Sequence, residues 1–207
     1  MSKFTKLEQM IIDITYREKQ SHLSSCLSAA PIIEEIFAKK KEHEVFVLSN
    51  GHAGLALYCK LQQLYNNVDA VELLHKHGIH PSRDLDNHLH VSTGSLGLGL
   101  PIAVGHALTK PYQTVYCMIS DGECAEGSIW ESLRFIADHP VDNIEVYANI
   151  NGMGAYDMID TDLLTRRLQA FLPRINIRIS EPTDFGFISG LKTHYHVLSD
   201  TEYASLK

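Results

Sequence analysis

Residues 119–127 read I-S-D-G-E-C-A-E-G, and residues 149–153 read N-I-N-G-M. Each stretch contains a turn that closes a short apolar run, at Val115–Ile119 and at Ile144–Ile150. A helical stretch lies between them, so we predict two parallel strands joined by a crossover helix. The carboxyl ends of such strands lie side by side, at the edge where open α/β sheets bind ligands.

Two polar residues follow these strands and would face the same crevice. They are Asp121 and Asn151, which lie thirty residues apart. A carboxylate oxygen, an amide oxygen and a nearby carbonyl, for which Met153 is the candidate, form a site suited to Mg²⁺ or Ca²⁺. Such a cation commonly holds a phosphate or diphosphate. Two ordinary turns rich in Asp, Asn and Gly have the same composition, and the spacing alone does not separate the two interpretations.

Composition limits the possible classes of protein. The chain has 207 residues, of which 44% are apolar, and no segment resembles a linker, so we predict one domain over residues 1–207. Its net charge of −7 argues against nucleic acid or an acidic membrane surface as partner. No apolar run approaches the ~20 residues that span a bilayer, and the polar start M-S-K-F-T-K is unlike a signal peptide. The four cysteines lack C-x-x-C spacing, so we expect reduced thiols and a cytoplasmic location.

Helical and strand patterns alternate along the remaining chain, with Thr5 as a candidate cap for the first helix. This alternation predicts an α/β fold with a doubly wound, mostly parallel sheet and helices on both faces. We predict helices over residues 5–20, from Pro31 to about Lys40, and over 52–66, 69–77, 97–108 and 161–171, with further strands at 45–48 and 175–179.

The sequence also carries a family resemblance. S-D-G-E-C-A-E-G-S-I-W-E at 120–131, followed by N-I-N-G-M, resembles the thiamine-diphosphate motif in the form found in transketolases. Four further blocks match that family in the same order: S-H-L-S-S-C-L-S-A-A at 21–30, L-S-N-G-H at 48–52, H-V-S-T-G-S-L-G-L-G-L-P-I-A-V-G-H-A-L at 90–108 and, more weakly, H-Y-H-V-L-S-D-T-E-Y at 194–203. The resemblance implies the thiamine-diphosphate-binding fold and, more narrowly, the N-terminal diphosphate-binding domain of transketolases.

The resemblance implies catalytic roles for several histidines. In transketolases the corresponding side chains surround the reactive carbon of the cofactor and the sugar, bind the diphosphate or the substrate hydroxyls, and move protons. Imidazole suits this work because its pKa near ~6.5 permits donation and acceptance at neutral pH. In this sequence the corresponding residues are His22, His52, His80 and His194, with His196 as an alternative to His194.

The implied cofactors are thiamine diphosphate and Mg²⁺ (or Ca²⁺). Gly94 and Leu96 would lie against the rings of the cofactor, and the family's counterpart of Glu126 belongs to a carboxylate network that faces the neighbouring subunit. The sequence departs from the family pattern at Ser120, which replaces a glycine, and at Leu98, which replaces a glutamine. The predicted cofactor-binding residues are His52, Gly94, Leu96, Gly122, Glu126 and Asn151, and the predicted metal ligands are Asp121, Asn151 and Met153, with Asn149 as a second candidate.

The implied reaction transfers a two-carbon ketol unit from a ketose to an aldehyde acceptor. The chain stops where a transketolase would begin its pyrimidine-binding domain, so we expect a second polypeptide to complete an α₂β₂ enzyme. The region from Asp157 to His194 is shorter than in the family, so sugar specificity is not carried over. The alternatives are the α subunit of a 2-oxo acid dehydrogenase or decarboxylase, which lacks the S-N-G-H and S-T-G-S-L-G blocks, and a non-catalytic scaffold subunit.

Overall fold

The computed structural model describes residues 3–154, 157–180 and 194–207. The helices in these ranges are α1 (Lys6–Arg17), α2 (Leu23–Lys39), α3 (Gly54–Leu64), α4 (Ala70–His77), α5 (Gly99–Thr109), α6 (Gly127–Asp138), α7 (Thr161–Phe171) and α8 (Asp200–Ser205). The strands are β1 (Val45–Leu48), β2 (Val115–Ser120), β3 (Ile144–Ile150) and β4 (Asn176–Ile179).

The four strands form one parallel sheet in the order β1-β2-β3-β4. In its register, Leu48 lies beside Met118, and Ser120 lies beside Asn149. The carboxyl ends of the first three strands therefore lie at one edge, as the sequence predicts. The α/β class with a parallel sheet is confirmed.

Side chains alternate between the two faces of the sheet, and each face has its own apolar core. Met118 and Tyr147 belong to a cluster built with helices α1–α4. Cys117, Ile119 and Ala148 belong to a second cluster built with α5, α6 and α7. Helices therefore cover both faces of the sheet. The face toward which a strand side chain points follows from the faces occupied by the residues before and after it in the strand.

The predicted helix start at Pro31 is wrong. Helix α2 begins at Leu23, directly after His22 in the left-handed conformation, and Pro31 lies exposed inside it. Proline lacks the N–H that would bond to the carbonyl of Leu27. The buried apolar side of this helix, which includes Leu27 and Ile33, keeps it packed against the sheet in spite of that loss.

The other boundaries agree with the sequence patterns to within a few residues. Thr5 caps α1 through a capping box with Glu8, as its position predicts. Within the described ranges, no helix has the length and apolar character needed to cross a bilayer. The described residues also contain no cluster of three or more His, Cys, Asp or Glu side chains that would hold a metal.

Candidate functional site

A cavity of about 270 Å³ lies at the carboxyl ends of β1, β2 and β3. It collects all four predicted catalytic histidines, all three predicted metal ligands, and Gly94, Leu96 and Gly122. Among the described residues its lining is His22, Ser25, Ser28, His52, His80, Gly94, Leu96, Ser120, Asp121, Gly122, Asn149, Asn151, Met153, His194 and Tyr195.

Three imidazole rings form a triangle on one side of the cavity. The ring centroids of His22 and His52 are 5.9 Å apart, those of His22 and His194 are 5.8 Å apart, and those of His52 and His194 are 6.1 Å apart. The backbone supports this arrangement, because the N–H of His22 donates to the carbonyl oxygen of His194 at 2.9 Å. Residues near both ends of the chain thus meet at one wall.

The environment of these rings favours their neutral form. The pKa of His52 is lowered to about 3, mainly by burial and to a smaller extent by the nearby rings of His22 and His194. Burial likewise lowers the pKa of His22 to about 4, with smaller contributions from His194 and His80. Neutral imidazoles both donate and accept hydrogen bonds, so near neutral pH these two rings are suited to hydrogen-bonding the polar groups of a ligand.

Asp121 is the buried carboxylate at the end of β2. Its Oδ2 accepts hydrogen bonds from the N–H groups of Asn151 at 2.8 Å and Gly152 at 2.7 Å, and its Oδ1 accepts from Gly122 at 3.0 Å. Burial raises the pKa of Asp121, and these backbone donors act in the opposite direction. The carboxylate thus joins the turn after β2 to the turn after β3.

Asn151 and Met153 stand beside this carboxylate. The Oδ1 of Asn151 accepts a hydrogen bond from the N–H of Met153 at 2.9 Å, and an amide oxygen keeps a second lone pair for a cation. Asn149 has less capacity, because its amide donates to Ser28 and its Oδ1 accepts from Ser180, both at 3.0 Å. The geometry therefore favours Asn151 over Asn149 as the cation ligand.

The donor set fits a hard cation. Carboxylate, amide and backbone oxygens are the ligands that Mg²⁺ and Ca²⁺ prefer. Among the described residues, the lining of the cavity includes no lysine or arginine. A diphosphate in this cavity would therefore need a divalent cation to offset its charge, and Asp121 is the carboxylate placed to bind one.

The glycine loop at 93–99 forms the opposite wall and requires glycine at two positions. Gly94 has a φ of +131°, and a Cβ there would lie 2.8 Å from Cγ of His80. Gly97 has a φ of +76°, and a Cβ there would lie 2.5 Å from Oγ of Ser128. Both residues adopt backbone conformations that L side chains rarely adopt, and they let the loop approach its neighbours closely.

Two candidates lie elsewhere. Glu126 does not belong to the described lining of the cavity and stands directly before α6. Its Cβ faces the glycine loop, because a Cβ added at Gly97 would lie 2.7 Å from it. His196 also lies outside the described lining and pairs with Glu202 at 3.0 Å. This placement favours His194 as the histidine of the site.

Glu123, a fully buried carboxylate two residues after Asp121, is a site residue to which the sequence assigned no role. Its Oε1 accepts from the hydroxyl of Ser49 at 2.6 Å and from the N–H of Gly97 at 3.0 Å, and its Oε2 accepts from the N–H of Ser120 at 3.1 Å. One side chain thus holds the ends of β1 and β2 and the glycine loop together. The sequence feature that could have identified Glu123 is its place as the acidic residue at the end of the D-G-E motif.

Comparison with known proteins identifies the family. The profile of the family "Transketolase, thiamine diphosphate binding domain" matches residues 4–172. Transketolase of Homo sapiens is 34% identical over 186 residues, which cover 77% of this chain and 29% of that protein. Transketolase-like protein 2 of Bos taurus is 32% identical over 186 residues, with the same two coverages of 77% and 29%. The chain thus spans less than a third of the length of these curated relatives.

Solved structures show the same fold. The transketolase from Leishmania mexicana matches with a TM-score of 0.75 at 20% identity, over 97% of this chain and 39% of that chain. The transketolase from Campylobacter jejuni matches with a TM-score of 0.73 at 17% identity, over 98% and 42%. The family resemblance noted in the sequence is confirmed: this chain belongs to the family of transketolase thiamine-diphosphate-binding domains.

Proposed function

We propose that this chain is the diphosphate-binding part of a transketolase-type enzyme that uses thiamine diphosphate and Mg²⁺. The observation that carries the proposal is the single cavity at the strand ends, which gathers the histidines, the acid–amide pair and the glycine loop. The proposed reaction moves a two-carbon ketol unit from a ketose to an aldehyde.

Each part of the cavity has a proposed role. Asp121, the side-chain oxygen of Asn151 and the carbonyl oxygen of Met153 would hold the cation, and Gly122 and the glycine loop would face the diphosphate. His52, Gly94 and Leu96 would contact the cofactor. When bound, thiamine diphosphate supplies a thiazolium ring that stabilises negative charge during carbon–carbon cleavage.

The histidines would bind the diphosphate of the cofactor or the hydroxyl groups of the sugar. His22, His52, His80 and His194 line the cavity, and the two with lowered pKa values stay neutral at physiological pH. Neutral rings would donate hydrogen bonds to these groups or accept hydrogen bonds from them. The exposed ring of Tyr195, whose centroid lies 5.7 Å from that of His22, stands at the mouth of the cavity.

We place the pyrimidine-binding half of the enzyme on a second polypeptide, in an α₂β₂ assembly. Leu98 and Ile102, which are 48% and 42% exposed beside the glycine loop, offer apolar surface to such a partner. Glu126 would join an acidic network across the interface between subunits.

We further propose that residues 1–207 form one domain and that the protein is cytoplasmic. The first proposal is supported by α8, because Tyr203 of that helix stacks on Tyr16 of α1 with ring centroids 3.9 Å apart. The second is supported by the cysteines, which are all free.

Calorimetry tests cofactor binding. We expect thiamine diphosphate to bind in the presence of Mg²⁺, and chelation of the metal or Asp121→Asn to abolish the heat of binding. Asp142→Asn, a control at an exposed acid, should bind like the parent chain. Absence of binding by the parent chain, with its partner present, would favour a scaffold subunit instead.

Activity tests the assembly. The chain should transfer ketol units only when it is co-expressed with the product of the neighbouring open reading frame, which we expect to carry the pyrimidine-binding domain. Ketol transfer by this chain alone would overturn the two-polypeptide proposal. Oxidation of pyruvate with an artificial electron acceptor would instead indicate a 2-oxo acid dehydrogenase.

A further inference from the structure

Ser120 is the last residue of β2, and strand alternation fixes the direction of its side chain. Met118, two residues earlier, faces the core formed with α1–α4, whereas Ile119 faces the opposite core. Ser120 therefore faces the same side as Met118 and its neighbour Asn149, whose amide donates to Ser28 of α2. This is the side on which the cavity lies, and Ser120 is part of its lining.

The hydroxyl of Ser120 is buried and has no hydrogen-bond partner among the described residues. The other two serines of the described lining differ in this respect. Ser28 donates to the carbonyl oxygen of Ser25 at 3.1 Å, and the hydroxyl of Ser25 lies 3.5 Å from Nδ1 of His194. A buried polar group without a partner is destabilising, so the hydroxyl of Ser120 gains from a hydrogen bond to a ligand.

The backbone of Ser120 is already held in place. It pairs with Asn149 in the sheet register, and its N–H donates to the carboxylate of Glu123. The backbone that carries the hydroxyl is therefore fixed in position next to Asp121, the proposed cation ligand.

We propose that the hydroxyl of Ser120 donates a hydrogen bond to a diphosphate oxygen, as a further ligand-binding group of this chain. The inference rests on the proposed function and deepens it. With neither lysine nor arginine in the described lining, neutral donors share the anionic oxygens with the cation. Ser120 replaces a glycine of the family motif, and a glycine would offer no side-chain donor here.

The test is calorimetric titration of the full chain with inorganic diphosphate at saturating Mg²⁺. Ser120→Ala and Ser120→Gly should each weaken binding about tenfold, the loss expected for a hydrogen bond to a charged group. The melting temperature of the ligand-free Ser120→Ala protein should stay equal or rise, because an unpartnered buried hydroxyl has been removed. A residue with only a structural role would lower stability and affinity together.

The matched control is Thr15→Val, which removes another fully buried hydroxyl without a described partner, on α1 and outside the cavity. It should leave diphosphate affinity unchanged. Binding by Ser120→Ala within twofold of the parent chain, with binding lost in Asp121→Asn, would overturn this inference and leave the proposed function standing. Failure of the parent chain to bind Mg²⁺ and diphosphate, with its partner present, would overturn both.

Discussion

At the scale of single residues, Glu123 organises the site without lining it. Its carboxylate accepts from Ser49, Gly97 and Ser120, and a glutamine has only one acceptor oxygen for these three donors. We expect Glu123→Gln to leave the N–H of Ser120 unsatisfied and to lower the free energy of unfolding by about 1–3 kcal/mol. Urea denaturation measures this change.

The control for Glu123 is Glu131→Gln, the same substitution at an exposed position of α6. Its free energy of unfolding should lie within about 0.5 kcal/mol of the parent value. Equal stability of both variants would show that the carboxylate of Glu123 does not hold the three segments together.

His52 should make stability depend on pH. Its pKa is lowered to about 3 by burial, from ~6.5 in an unfolded chain, so between these values the unfolded state binds more protons. Its contribution is therefore complete above pH ~6.5 and is lost as the pH falls toward 3. His52→Gln should reduce the loss of stability between pH 7 and pH 5 by about 1–2 kcal/mol.

Urea denaturation at the two pH values measures the effect of His52. His43→Gln, at an exposed position, should keep the pH dependence of the parent chain. An unchanged pH dependence in His52→Gln would contradict a buried, neutral imidazole at this position.

Most of the cavity was predictable residue by residue. Asp121, Asn151 and three of the four cavity histidines lie in motif blocks whose order matches that of a family, and the fold brings them together. Glu123 and Ser120 were not assigned roles, because their roles depend on burial and on partners distant in the chain. A sequence shows an acid beside a motif, but it does not show which segments that acid will join.

At the scale of elements, α5 packs against β1 through a glycine. A Cβ at Gly99 would lie 2.5 Å from Cα of Ser49, a backbone atom that cannot move aside cheaply. We expect Gly99→Ala to lower the free energy of unfolding by about 1–3 kcal/mol through overpacking. Gly105→Ala, in the same helix with no atom within 4 Å of its added Cβ, should raise it by up to about 1 kcal/mol.

Thermal unfolding of the two glycine variants gives the comparison. Opposite signs of the two changes in stability would show that close packing, and not helix propensity, is the reason that position 99 requires glycine. Destabilisation by both variants would argue against this explanation.

The positions of the helices and strands were predicted well from periodicity and capping residues, with one exception. The prediction treated Pro31 as a helix start, since proline favours the first turn. In α2 the buried side chains on either side of Pro31 outweigh one missing hydrogen bond. Burial of these side chains depends on the sheet and the neighbouring helices, so it cannot be predicted from the local sequence pattern around Pro31.

At the scale of the whole molecule, the site depends on contacts between the two ends of the chain. The N–H of His22 bonds to the carbonyl oxygen of His194, which is far away in sequence. The weak match at 194–203 predicted a histidine here, but not the contact that places it. The shortened connection before His194 falls partly on residues 181–193, which lie outside the described residues.

Helix α8 packs against α1 and so holds the segment that contains His194 close to that helix. Tyr203 stacks on Tyr16, and its hydroxyl donates to Asp13 at 3.0 Å. Because His194 lies only nine positions before Tyr203, docking of α8 should hold that imidazole at the cavity. We expect Tyr203→Ala to lower the free energy of unfolding by about 1–3 kcal/mol and to weaken the binding of Mg²⁺ and thiamine diphosphate.

Hydrogen exchange and calorimetry separate these two effects of Tyr203→Ala. Amides of residues 194–206 should lose protection while those of β2 and β3 keep theirs, because only the docked end is released. Tyr112→Ala, at a side chain that is 99% exposed, should change neither protection nor affinity. Full cofactor affinity in Tyr203→Ala with residues 194–206 unprotected would mean that His194 is dispensable for cofactor binding, leaving that task to the residues at the strand ends.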